Sequence, residues 1–210
     1  METTQSSVKI GLFAIGLDTY WPQFDGLLST LTEYQARIHR RLDQSGVTVI
    51  SAGMVDSVEK ARKAAQLFKS SEVEMIFLYI STYALSSTVL PVVQQIAAPV
   101  VVLNLQPVRR LDYDSFNALG DRGKMTGLWL SHCQSCTAPE LACVFNRAGI
   151  DYHLVTGTLD DEAAWREIQD WLDAIRVAKA MRENNVGILG HYYCGMLDVY
   201  SDLTQQAAVF

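Results

Sequence analysis

Four short stretches of this sequence gather side chains able to do chemistry. Gly16–Trp21 reads GLDTYW, a carboxylate, two hydroxyls and an indole within one turn. Asp18, Thr19 and Tyr20 could hydrogen-bond a polyhydroxylated ligand while an aromatic face stacks on its C–H groups. The structural alternative is that Asp18 or Thr19 caps the following helix and Tyr20 and Trp21 pack on it. Ser131–Cys136 reads SHCQSC. Cys133 and Cys136 have the Cys-x-x-Cys spacing of a redox pair, and His132 beside them raises zinc. A redox motif of this kind should follow a strand, whereas this one follows a helical stretch. A zinc site needs a second pair of ligands, which Cys143 and Cys194 do not supply. Packing or ligand contact is the remaining reading.

Gly190–Met196 reads GHYYCGM. His191 could be a base, a metal ligand or a substrate donor, and Tyr192 and Tyr193 add hydroxyls and flat faces. A strand-end loop with His191 bonded to backbone explains the same residues. Asp198 and Asp202 stand four apart and could share a helix face for acid–base or metal chemistry. They equally suit the first turn of the helix after Met196, where the dipole favours negative charge. Arg109 and Arg110 could meet an anion or form a solvated pair. The chain has no Gly-x-Ser-x-Gly elbow, no Gly-x-Gly-x-x-Gly fingerprint and no phosphate-binding P-loop.

Composition narrows the classes. The 210 residues carry 17 Lys and Arg against 23 Asp and Glu, a formal charge of −6, which argues against a nucleic-acid partner. Hydrophobic residues make up 49%, yet no unbroken apolar run approaches the roughly 18 residues of a membrane span. Met1–Ser7 is polar and Val8–Ile15 is too short and strand-like for a signal peptide, so a cytoplasmic protein is expected. Four cysteines do not suggest a disulfide framework.

The elements that must position these residues alternate. Apolar runs at Val8–Ile15, Val47–Ile50, Met75–Ile80, Val100–Leu105, Tyr152–Val155 and Val186–Leu189 read as strands covered on both faces. Amphipathic stretches separate them. Phe24, Leu27, Leu28, Leu31, Tyr34, Ile38 and Leu42 form one helical stripe, stopped by Gly46. Val58, Ala61, Ala65 and Phe68 form a second, with Asp56 as the expected cap and Glu59 three residues on. Residues 112–149 hold no clear strand. Helices are expected over about Asp121–Ser131 and from Thr137, where Thr137 and Glu140 have capping-box spacing. A long helix follows at roughly Glu162–Arg182. Alternation of this kind predicts a flavodoxin-like or Rossmann-like, doubly wound parallel sheet in three α/β/α layers, with ligands beyond the carboxyl ends of its strands.

Three stretches also resemble the L-fucose/L-arabinose isomerase-like proteins, above all the arabinose-isomerase-like branch: Ile15–Pro22, His132–Arg147 and Leu189–Asp202. The resemblance spans the whole chain. It implies a metal-dependent aldose–ketose (ketol) isomerase acting on L-arabinose- or L-fucose-type sugars, in which a divalent metal, usually Mn²⁺, polarises two sugar oxygens. Such enzymes are longer, so it makes this chain an N-terminal portion: residues 1–184 a first domain and 185–210 the start of a central one. The expected metal ligands then lie beyond residue 210, no catalytic or metal residue lies in this chain, and the chain alone should be inactive. Trimers or hexamers are implied, with this domain completing a neighbour's site. Asp18, Thr19, Tyr20, His132, Gln134, His191, Tyr192 and Met196 become the expected substrate-binding set. The alternative is a non-enzymatic sugar-binding or regulatory module of flavodoxin-like fold.

Overall fold

The computed structural model describes residues 7–183, 185, 189–190, 193–196 and 200–209. Contacts divide the chain into two compact units, Met1–Asp170 and Trp171–Phe210. The first contains five strands: β1 (Val8–Ile15), β2 (Val47–Val55), β3 (Met75–Ile80), β4 (Val100–Gln106) and β5 (Tyr152–Thr158). All pair in parallel, in the order β2-β1-β3-β4-β5. The predicted three-layer, flavodoxin-like or Rossmann-like fold is therefore correct. Its switch point, where consecutive crossovers pass to opposite sides, lies between β1 and β3.

The helices are α1 (Leu27–Leu42), α2 (Val58–Ser71), α3 (Leu90–Val93), α4 (Tyr113–Ala118), α5 (Arg122–Leu130), α6 (Ala138–Ala148), α7 (Glu162–Glu183) and α8 (Leu203–Val209). Every residue of β3 is buried, as continuous apolar sequence demands of a strand roofed on both sides. Phe13 and Ile15 of β1 and Ile76, Leu78 and Ile80 of β3 share one core cluster with Ala61, Ala64 and Phe68 of α2 and Leu141 and Phe145 of α6. Phe13 and Phe68 meet with ring centroids 6.1 Å apart. On the other face α1 buries Leu27, Leu31, Ile38 and Leu42. Its outer edge reaches the start of α7: Arg41 stacks on Trp165 at 4.3 Å, and Arg37 and Arg41 pair with Asp160 and Glu162. In the second unit, Asp202 accepts from the backbone N–H of Gln205 at the start of α8.

Three local expectations change. β2 runs on to Val55 instead of ending at Ile50. Its register against β1 shifts between Leu12 and Phe13, opposite Ser51 and Gly53, and Gly53 sits at φ 69°. A bulge thus absorbs the Ser-Ala-Gly stretch that reads as a loop, because glycine tolerates that backbone. Ser57, not Asp56, caps α2, its hydroxyl accepting from Lys60 N–H at 3.3 Å. The box expected of Thr137 and Glu140 does not form; both side chains turn to the loop after β3. The predicted strand at Val186–Leu189 and residues Asp198, His191 and Tyr192 lie outside the described residues, Leu189 apart, and Leu189 is not in a strand.

Gly11 shows how tightly the β1–α2 layer is packed. A Cβ there would stand 3.1 Å from the Phe68 ring, and that ring is fully buried. Gly11→Ala is expected to destabilise the protein by about 1–3 kcal/mol through overpacking, read as a lower urea midpoint at unchanged slope.

Candidate ligand site

The loop after β1 opens with a short 3-10 turn, Asp18–Tyr20. Asp18 and Thr19 are exposed, while Tyr20 is half-buried and meets Phe24 edge-on at 6.0 Å. Trp21 returns to the body. Its indole N–H donates to Asp56 Oδ2 at 2.9 Å, and Lys60 Nζ approaches the same oxygen at 2.7 Å. The Asp56 side chain is only 2% exposed, so a buried carboxylate at the end of β2 is satisfied by one neutral and one charged donor. Gly16 makes room for this: a Cβ would lie 2.8 Å from the Trp21 ring. Tyr20, Trp21 and Phe24 pack against Leu27, Leu31 and Leu130. Packing thus explains the two aromatics, whereas no side-chain cap comes from Asp18 or Thr19.

The SHCQSC segment links α5 to α6 and binds the carboxyl ends of β3 and β4. Gln134 is fully buried. Its amide nitrogen donates to the carbonyls of Ser81 and Ser131 at 2.8 and 2.9 Å. The amide nitrogen of Gln106, at the end of β4, donates to Gln134 Oε1 at 2.7 Å and to the His132 carbonyl, and its oxygen accepts from Ser135. Thr137 Oγ1 accepts from Ala84 N–H and donates to the Thr82 carbonyl. Glu140 accepts from Ser86 N–H. Backbone groups of the loop after β3 would otherwise be buried unpaired, which is why the capping box gives way. Ser81 Oγ closes the switch point itself, donating to the Ile15 carbonyl at 2.6 Å. Cys133 and Cys136 form a disulfide, Cα atoms 5.5 Å apart, where the sequence reading favours packing or ligand contact over a redox pair.

A cleft of about 610 Å³ lies between the β1–α1 loop, the start of α1 and α5. Phe24, Leu27 and Leu128 supply apolar wall, Thr30, Tyr34 and Ser131 hydroxyls, and Asp25, Asp121 and Lys124 charge. Asp121 is partly committed, capping α5 at Lys124 N–H. Asp25 and Lys124 are exposed, and neither has an ion-pair partner among the described residues. Burial raises the Tyr34 pKa above its ordinary value, against the opposing pull of the Ser131 side chain and the Arg37 charge. Tyr79, buried beneath, is held far above the tyrosine range by desolvation first and by Tyr34 second.

Ser131 and His132 invite a nucleophile–base reading, since Ser131 Oγ lies 3.0 Å from His132 Nδ1. The geometry opposes it. Nδ1 also lies 2.8 Å from the Leu128 carbonyl, which can only accept, so Nδ1 carries the proton and cannot take another from Ser131. Ser131 Oγ donates instead to the same carbonyl at 2.7 Å.

Of the expected site residues, the structure places Asp18, Thr19 and Tyr20 on the loop after β1 and His132 on the turn after α5, while Gln134 is spent on the backbone. Met196 belongs to the second unit and is 47% exposed. Asp25, Tyr34 and Lys124 were missed. Lys124 reads as a solvated helix residue and Tyr34 as part of a core stripe; only the fold sets them around one space. Among the described residues no group of three or more His, Cys, Asp or Glu is placed to hold a metal ion; the resemblance put its metal ligands beyond residue 210. No described helix is long and apolar enough to cross a membrane.

No family model and no curated protein matches this chain. Among solved structures, a lipase/acylhydrolase from Enterococcus faecalis aligns at 13% identity with a TM-score of 0.33, over 70% of this chain and 75% of that one. A likeness that remote carries no functional argument for this chain. The resemblance to the L-fucose/L-arabinose isomerases is nevertheless overturned: no model of that family, or of any other, matches the chain. The ketol-isomerase activity, and the sugar module offered beside it, are accordingly withdrawn.

Two tests follow from the buried polar groups. Trp21→Phe keeps an aromatic ring, though a smaller one, and strips Asp56 of its neutral donor; a cost of about 1–3 kcal/mol is expected, measured by urea denaturation followed by circular dichroism. Neutral Tyr34 and Tyr79 contribute stability that is complete below the ordinary tyrosine pKa of 10.0 and is lost as pH rises through their raised values. Tyr79→Phe should therefore flatten the alkaline limb of the stability–pH curve, and an unchanged limb would refute the assignment.

Proposed function

We propose that this chain is a binding domain for a small polar molecule carrying both a positive and a negative group, held in the cleft between the β1–α1 loop and α5. The observation that carries the reading is the pair of opposite, uncommitted charges, Asp25 and Lys124, on the lining of one cleft. Its volume of about 610 Å³ suits a metabolite-sized ligand. Its place beside the β1 carboxyl end accords with where doubly wound sheets bind ligands.

Each residue has a role in this scheme. Asp25 accepts from an ammonium or other cationic donor, and Lys124 pairs with a carboxylate or similar anion. Phe24, Leu27 and Leu128 cover the ligand's carbon skeleton. Tyr34 stays protonated at neutral pH, so its hydroxyl is available as a donor. With the Nδ1 proton of His132 held by the Leu128 carbonyl, Ser131 has no base at that nitrogen, which favours a binding role. Because both charges are exposed, each contact should contribute about 0–1 kcal/mol, up to roughly fivefold in affinity.

Isothermal titration with free α-amino acids, neutral polyols and dicarboxylates tests this. Saturable binding confined to the amino acids, weakened about fivefold in both Asp25→Ala and Lys124→Ala, is the expected result. Binding by none of them, or binding indifferent to both substitutions, would remove the proposal.

A further inference from the structure

We infer that Cys133 and Cys136 form a redox-active pair that exchanges with external thiols through Cys136. This rests on the turn after α5 and is independent of the cleft reading. Three observations carry it. First, the two sulfurs are bonded in a Cys-Gln-Ser-Cys segment. Secondly, their access differs: Cys133 is 3% exposed and Cys136 is open to solvent. Thirdly, the turn is held by hydrogen bonds as well as by the disulfide. A cross-link between residues three apart closes a very short loop and constrains the unfolded chain little. The turn is already fixed by Gln134 on Ser81 and Ser131, by Gln106 on Gln134 and Ser135, and by Thr137 on Thr82 and Ala84. Both the bonded and the reduced states can therefore keep the same backbone. Cys136 also stands two residues ahead of α6, where the helix N-terminus favours a thiolate.

The exchange balances with a monothiol of the glutathione class as co-reactant. Its thiolate attacks Sγ of Cys136. The Sγ–Sγ bond breaks, and the electron pair leaves on Sγ of Cys133, which takes up a proton. A second thiolate then attacks the outer sulfur of the mixed disulfide and releases Cys136 as a thiolate. Two thiols are oxidised to one disulfide, and the protein pair is reduced to two thiols. The reverse sequence re-forms the bond.

The test uses the full chain with Cys143→Ser and Cys194→Ser, since both of those thiols are exposed and lie outside the pair. The protein is equilibrated in buffers of varied reduced-to-oxidised glutathione ratio, quenched with an alkylating agent and weighed, with circular dichroism recorded on each sample. One reversible transition between no and two alkylated cysteines, in protein that stays folded throughout, is expected. In the same background, Cys133→Ser should acquire a mixed disulfide with oxidised glutathione about tenfold faster than Cys136→Ser, because access to the sulfur sets the rate. The inference is overturned if the bond never forms, if it yields only when the protein unfolds, or if the two single variants react equally fast.

Discussion

The carboxamide of Gln134 is the joint on which the carboxyl edge of this sheet depends. A parallel sheet leaves the backbone groups beyond its strand ends without ladder partners, and at this edge they are buried. Gln134 answers two carbonyls with its nitrogen and receives Gln106 on its oxygen. The end of β3, the end of β4 and the end of α5 are thereby referred to one planar group. Each such bond is worth only about 0.5–1.5 kcal/mol net, but a buried group left unpaired costs about 1–3 kcal/mol. The network is therefore worth more for what it prevents than for what it adds. Thr137 and Glu140 extend it along the loop after β3 at the expense of their own helix.

On the β2 side, Asp56 does the corresponding work. It is too buried to remain a bare carboxylate, and it draws the Trp21 indole and the Lys60 ammonium together. The loop after β1 is thus fixed by its aromatic residues, which frees Asp18, Thr19 and Asp25 to face solvent. The same loop carries anchoring and exposed groups in alternation. The cleft beside it owes its apolar wall to the former and one of its charges to the latter.

The architecture was legible because burial on both faces imposes a pattern that needs no partner to be seen: Met75–Ile80 is apolar throughout and could be little but a central strand. Helix ends and site members were less legible, for one physical reason. Capping residues, buried acids and ligand-binding polar groups are the same amino acids, and only tertiary distance tells them apart. Thr137 and Glu140 have the spacing of a cap, yet they serve a loop more than fifty residues upstream. Asp56 looks like a cap and is instead an anchor, with Ser57 taking the role beside it. Gln134 looks like a ligand contact and is a brace. The resemblance to sugar isomerases rested on short segments of this kind, and in one of them the fold spends Gln134, Thr137 and Glu140 on its own support.

The bulge in β2 has a consequence for association. Among the described strands β2 pairs with β1 alone, so its other side presents a row of backbone groups that no described strand pairs. A regular row of that sort is a template on which another chain can add a strand. The extra residue at Ala52, with Gly53 in a left-handed conformation, interrupts the row midway and bends the strand. The glycine that lets β2 continue past Ile50 thus also spoils it as a seed for intermolecular sheet growth.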